Sequence, residues 1–128
     1  MDSIEQKNNL ETILDESSNL SLNQIRRLLN KMNASEIAHM LESSPPKQRN
    51  LLFSLLKTEE EGDVLFELGE EIQQDLISNI SDEELAEAVK ELELDEIVDI
   101  LQNLPEERMK MILSSMSKID RKRIEIGL

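Results

Sequence analysis

A phrase of short helix, proline turn and second helix is written more than once in this 128-residue chain, and that repetition limits the fold more than any other feature. Over residues 94–107, Ile97, Val98, Ile100, Leu101 and Leu104 recur at helical spacing and form one apolar stripe. Asp95 and Asp99, four apart, project together from another side of the same helix. Pro105 ends that helix and opens the next, where its missing N–H has no partner to lose, and Glu106 and Glu107 complement the positive end of the new helix. A shift of 60 residues lays Ile37 on Ile97, Met40 on Ile100, Leu41 on Leu101, Pro45 on Pro105 and Leu52 on Ile112. A shift of 12 lays Glu83 on Asp95, Leu85 on Ile97, Glu87 on Asp99 and Leu92 on Leu104. Each unit has one apolar face that it cannot bury alone, so neighbouring units must stack to share a continuous core.

The residues available for that core are few in kind. Aromatic residues make up 2% of the chain, Phe53 and Phe66 alone, which leaves Leu, Ile, Val, Met and Ala, the palette of packed helices. No stretch alternates apolar and polar residues as a strand would. The length suits one domain with a real core. Cysteine is absent, so disulfides, thiolate metal sites and thiol catalysis are excluded. The apolar run at residues 51–56 falls far short of the roughly 20 residues that span a bilayer. Residues 1–5 lack the basic, apolar and small-residue pattern of a signal peptide, so the chain is expected to be made and kept inside the cell.

Net charge is −14, unevenly placed. Between residues 59 and 107, nineteen acids stand against the single base Lys90, while the two flanks together carry nine acids and thirteen bases. Such a segment repels nucleic acid and anionic membranes, since both need basic surface to displace counterions, and it attracts cations or a basic partner. Taken singly, most of these carboxylates are solvated helix faces that serve solubility.

Along the chain, the capping-box pattern at residues 3–6 opens an N-terminal helix that breaks at residues 15–19; residues 1–19 thus read as a loosely attached helix and loop, and residues 20–128 as the domain proper. Ser21 precedes a second helix with Leu22, Ile25, Leu28, Leu29 and Met32 on one face and Asn33 at its end. A third spans residues 35–43, and Pro45-Pro46 starts a fourth carrying Leu51, Leu52, Leu55 and Leu56. Gly62 and Gly69 punctuate the middle, leaving short helices at 64–68 and 72–80. Ser81 to Glu84 reads as another capping box, opening a helix with Leu85, Ala88, Val89 and Leu92 inward. Helices at 94–104 and 105–116 follow, then a basic one from Ile119 that Gly127 ends.

Nothing in this pattern assembles catalysis. His39 is the only histidine, and without Cys or a second His it belongs to no usual zinc site. The serine pairs Ser43-Ser44 and Ser114-Ser115 lack a nucleophile elbow, and three glycines make no phosphate loop. Glu83 and Glu87 form a paired carboxylate on which no other group converges. The chain is not expected to be an enzyme.

The phrases at residues 36–42, 81–87 and 94–107, in that order and spacing, closely resemble the N-terminal cytosolic domain of MgtE-type magnesium transporters over about residues 20–126. That resemblance implies a right-handed superhelix of about ten short helices, followed in the whole protein by a pair of CBS modules and a membrane pore, and acting as a homodimer with its soluble part on the cytoplasmic side of the inner membrane. It implies no direct membrane insertion by this segment. It also implies a regulatory role, in which Mg²⁺ bound between the acidic N domain and the CBS pair closes the pore. Residue by residue, the family's metal-facing acids fall on Asp95 and Asp99, and a third on Asp63, which follows Gly62 where the family more often has alanine and glutamate. The competing reading is an acidic helical-repeat scaffold, similar to that of the flagellar rotor protein FliG, which binds protein and holds no specific metal site.

Overall fold

The computed structural model describes residues 21–128, and within them every regular element is a helix. The helix expected before Ser21 lies outside the described residues. The chain divides into two compact units, Met1–Lys57 and Thr58–Leu128.

In the first unit, α1 (Leu22–Leu29), α2 (Ala34–Glu42) and α3 (Pro46–Ser54) follow one another through short turns. Capping fixes where they start. The Ser21 hydroxyl accepts from the Gln24 amide at 3.2 Å while the Gln24 side chain accepts from the Ser21 amide at 2.9 Å, a reciprocal box that satisfies two N-terminal donors. Asn33 and Glu36 repeat that arrangement at 2.8 and 3.0 Å, so Asn33 opens α2, whereas the sequence pattern had it closing α1; Asn30 performs that task. Ile25, Leu29, Ile37, Met40, Leu41 and Leu52 are buried, but Leu22, placed in the same stripe by spacing, is exposed. Arg49 reaches back from α3 to the Leu41 and Ser44 carbonyls, both at 3.0 Å, and so ties α3 to the turn that follows α2.

The second unit contains α4 (Thr58–Glu67), α5 (Glu70–Ile77), α6 (Asp82–Val89), α7 (Leu94–Gln102), α8 (Glu106–Ser114) and α9 (Lys118–Gly127). Helices two apart in sequence pack on each other: α4 on α6, α6 on α8, and α7 on α9. This skipping contact gives each short amphipathic unit a partner for its apolar face, which a helix of two or three turns requires to persist. Val64, Leu65, Leu85, Val89, Ile100, Leu101 and Ile112 are fully buried between them. Arg108, on α8, ties the α5–α6 turn by donating to the Ile77 carbonyl at 2.6 Å, to the Ile80 carbonyl, and to the Asp82 carboxylate at 2.9 Å. Gln73 closes the end of α4 by donating to the Leu65 carbonyl at 2.8 Å.

Two sequence expectations need correction here. The helix placed at 72–80 runs instead over Glu70–Ile77. More important, Gly62 does not break the chain: it lies inside α4, buried against α6. A Cβ there would collide with the Ala88 carbonyl oxygen and stand 3.1 Å from its carbon, so the glycine is present for close approach. Overpacking against a helix backbone costs roughly 1–3 kcal/mol, more than the gain of about 1 kcal/mol that alanine brings to a helix interior. Gly62→Ala should therefore lower stability by about 1 kcal/mol in urea titration, and Gly62→Val by more. A more stable alanine variant, the usual result for an unencumbered helical glycine, would show that α4 and α6 have room between them.

Candidate metal-facing surface

α7 begins with Glu96 turned back on the chain, its carboxylate accepting from the Glu93 amide at 3.0 Å. Glu96 thus makes the capping hydrogen bond, while Asp95 shares the first turn without one. Asp95 and Asp99 are both exposed one turn apart on α7, and among the described residues neither makes a hydrogen bond or ion pair, while Ile97, Ile100 and Leu101 bury the opposite side. The buried face thus fixes the direction in which the two carboxylates project. Asp63 is exposed on α4, immediately after Gly62.

These three residues are not gathered into a closed coordination shell. Among the described residues, no group of three or more His, Cys, Asp or Glu side chains is placed to hold a metal ion. Asp95 and Asp99 offer one face, as carboxylates at helical spacing do, and a magnesium ion that keeps most of its water needs no more than one or two such ligands from a given surface. His39 is exposed on α2.

Beside α7 lies a cavity of about 300 Å³, with Leu92, Ile97, Met116 and Ile124 on its walls and Glu87, Lys90, Asp120 and Arg123 around it. Its charges largely answer one another, with the Lys90 ammonium 2.8 Å from the Glu87 carboxylate.

Sequence reasoning missed a different pair of acids. Glu61, on the inward side of α4, is only 5% exposed, and its Oε2 is buried with no hydrogen-bond partner. Across the contact stands Glu84, on α6. The Ser81 hydroxyl accepts from the Glu84 amide at 3.1 Å, but the Glu84 side chain faces Glu61 and does not complete the expected capping box. Burial first, and then the neighbouring Glu84 carboxylate, push Glu61 from 4.5 up to about 8. Helix phase was the available signal, since Glu61, Val64, Leu65 and Leu68 share the i, i+3, i+4, i+7 pattern of one face.

The family profile described as the MgtE intracellular N domain matches residues 32–128. This chain belongs to that family. The structure of the chain is also similar to one described as the crystal structure of the soluble part of a magnesium transporter, with a TM-score of 0.78 and 22% sequence identity over 98% of this chain and 48% of that one. At that identity the likeness establishes a common all-helical fold. The chain spans about half the length of that solved chain. No curated protein sequence matches. The MgtE N-domain family is a transporter domain and not a class of enzymes, and among the described residues no helix is long and apolar enough to cross a membrane.

Proposed function

We propose that this MgtE N domain is the cytosolic regulatory part of a magnesium transporter or channel, and that Asp63, Asp95 and Asp99 supply half of a site for regulatory Mg²⁺. The observation that carries this reading is the pair Asp95 and Asp99, exposed and unpartnered on a helix whose opposite side is locked into the core. Two such carboxylates repel each other, and a hydrated divalent ion relieves that repulsion. The CBS pair of the same transporter completes the shell from the other side. Ion binding then holds the cytosolic part compact and closes the pore when internal magnesium is high, in a homodimer whose membrane part lies in the inner membrane.

Half a site binds weakly. The isolated chain should gain roughly 1 kcal/mol, about 2–5 °C in melting temperature, at Mg²⁺ several-fold above its dissociation constant, because the ion binds the folded state in preference to the unfolded one. Thermal melts of an Asp95→Asn, Asp99→Asn double variant should lose most of that gain. Glu83→Gln with Glu87→Gln removes the same charge at the same spacing from α6 and serves as the control. Equal losses in the two variants would reduce the magnesium effect to diffuse screening of the acidic surface, and the scaffold reading with no specific metal site would then take its place.

A further inference from the structure

Glu61 and Glu84 stand within side-chain hydrogen-bonding reach of each other, but this leaves the second oxygen of the Glu61 carboxyl unanswered. A carboxyl group 95% removed from solvent is ordinarily paired with a cation or fully hydrogen-bonded, yet Glu61 Oε2 has neither, and the neighbour it faces is another acid. Among the described residues no base neutralises the pair. Arg108 is engaged by Asp82 and two carbonyls, and Lys90 by Glu87. The close approach of Gly62 to the Ala88 backbone leaves little room between α4 and α6 beside the two groups. A buried polar atom left without a partner in an otherwise well-satisfied interior commonly marks the place of an absent ion or water.

We propose that Glu61 and Glu84 form an inner position for a divalent cation such as Mg²⁺, held wholly within the second unit and separate from the surface formed by Asp63, Asp95 and Asp99. The geometry suits the ion. Octahedral Mg²⁺ holds its ligands at about 2.0–2.1 Å, which puts two adjacent ligand oxygens roughly 2.9 Å apart, the same separation as oxygens within hydrogen-bonding reach of each other. Glu61 and Glu84 are within side-chain hydrogen-bonding reach of each other, so one cation can be shared by both carboxylates. Glu84 is only partly buried, so its open side leaves room for the waters that fill the remaining positions. The sequence supports the same division of roles: Glu84 is relieved of capping by Ser81, and Glu61 has no other partner to leave.

The test uses the ¹⁵N-labelled 128-residue chain and substoichiometric Mn²⁺, whose unpaired electrons broaden amide signals near it. Broadening should centre on Glu61, Gly62, Glu84 and Leu85, and be reversed by excess Mg²⁺. Glu84→Gln should weaken this response about tenfold, while Asp63→Asn combined with Asp95→Asn and Asp99→Asn should leave it in place, so the inner position and the outer surface stand or fall separately. Glu61→Gln, which keeps the shape but has no proton that a cation could displace to gain a carboxylate, guards against a folding defect in the Glu84 variant. Broadening confined to residues 95–99, spread evenly over residues 59–107, absent altogether, or unchanged in both glutamine variants would overturn the proposal.

Discussion

Truncating Leu101 to alanine should destabilise the chain by roughly 2–5 kcal/mol, the range for removing a fully buried leucine and leaving its cavity behind. Leu101 is 0% exposed and Ile100, beside it, is likewise 0% exposed, so the lost methyl groups are replaced by neither solvent nor an easily shifted side chain. Ile97, at 6% exposure one turn earlier, should fall in the lower part of the same range. Leu94 provides the internal control. It lies on the same helix but is 37% exposed, so Leu94→Ala should cost well under half of what Leu101→Ala does. The measurement is the denaturant midpoint at unchanged slope, which isolates stability from compactness. Equal losses at Leu94 and Leu101 would put the helix out of phase and, with it, the outward direction of Asp95 and Asp99. The experiment on the core is therefore also an experiment on the candidate site.

That coupling explains why much of the molecule is legible in its sequence. In α7 and α8 the apolar stripe, the proline turn and the acidic first turn all point the same way, and Ile97, Ile100, Leu101 and Leu104 are buried as spacing predicts. Where signals conflict, the reading slips. Asn33 is both a plausible helix end and a good N-cap, and only the bond from Glu36 decides between them. Gly62 has the local chemistry of a breaker, but tertiary packing overrides it, because α6 comes so close that any side chain would clash. That one misreading also hid Glu61: a helix starting after Gly62 never includes position 61, so its place on the face of Val64, Leu65 and Leu68 passes unnoticed. Asp95 and Asp99 were legible as a pair because both lie on a single helix. Whether Asp63 joins them depends on long-range geometry and a partner surface, neither of which local pattern encodes.

The second large effect concerns pH. In the folded chain Glu61 holds its proton up to about pH 8, against an ordinary value of 4.5. Between those values the folded state binds a proton that the unfolded state has released, so this residue's contribution is fully present below the ordinary value, declines by about 1.4 kcal/mol per pH unit as pH rises, and is gone above the folded value. The whole window sets a ceiling of about 4–5 kcal/mol, which relaxation of the contact and entry of water reduce. Glu61→Gln removes the titration while keeping the shape, and its amide donates to Glu84. In buffer with a metal chelator, the glutamine variant should gain on the wild-type chain steadily from pH 5 to pH 8 and then hold a constant lead of a few kcal/mol, read from denaturant unfolding at each pH. All other acids are common to both chains, so their titrations cancel in the difference. Glu84→Gln sharpens the assignment. Because burial outranks the Glu84 charge among the causes, removing that charge should end the decline at a lower pH, and so shrink the final lead, without abolishing either. Parallel curves for wild type and Glu61→Gln would mean that Glu61 ionises in the folded chain as readily as in the unfolded one, and that α4 and α6 stand open to water at that point.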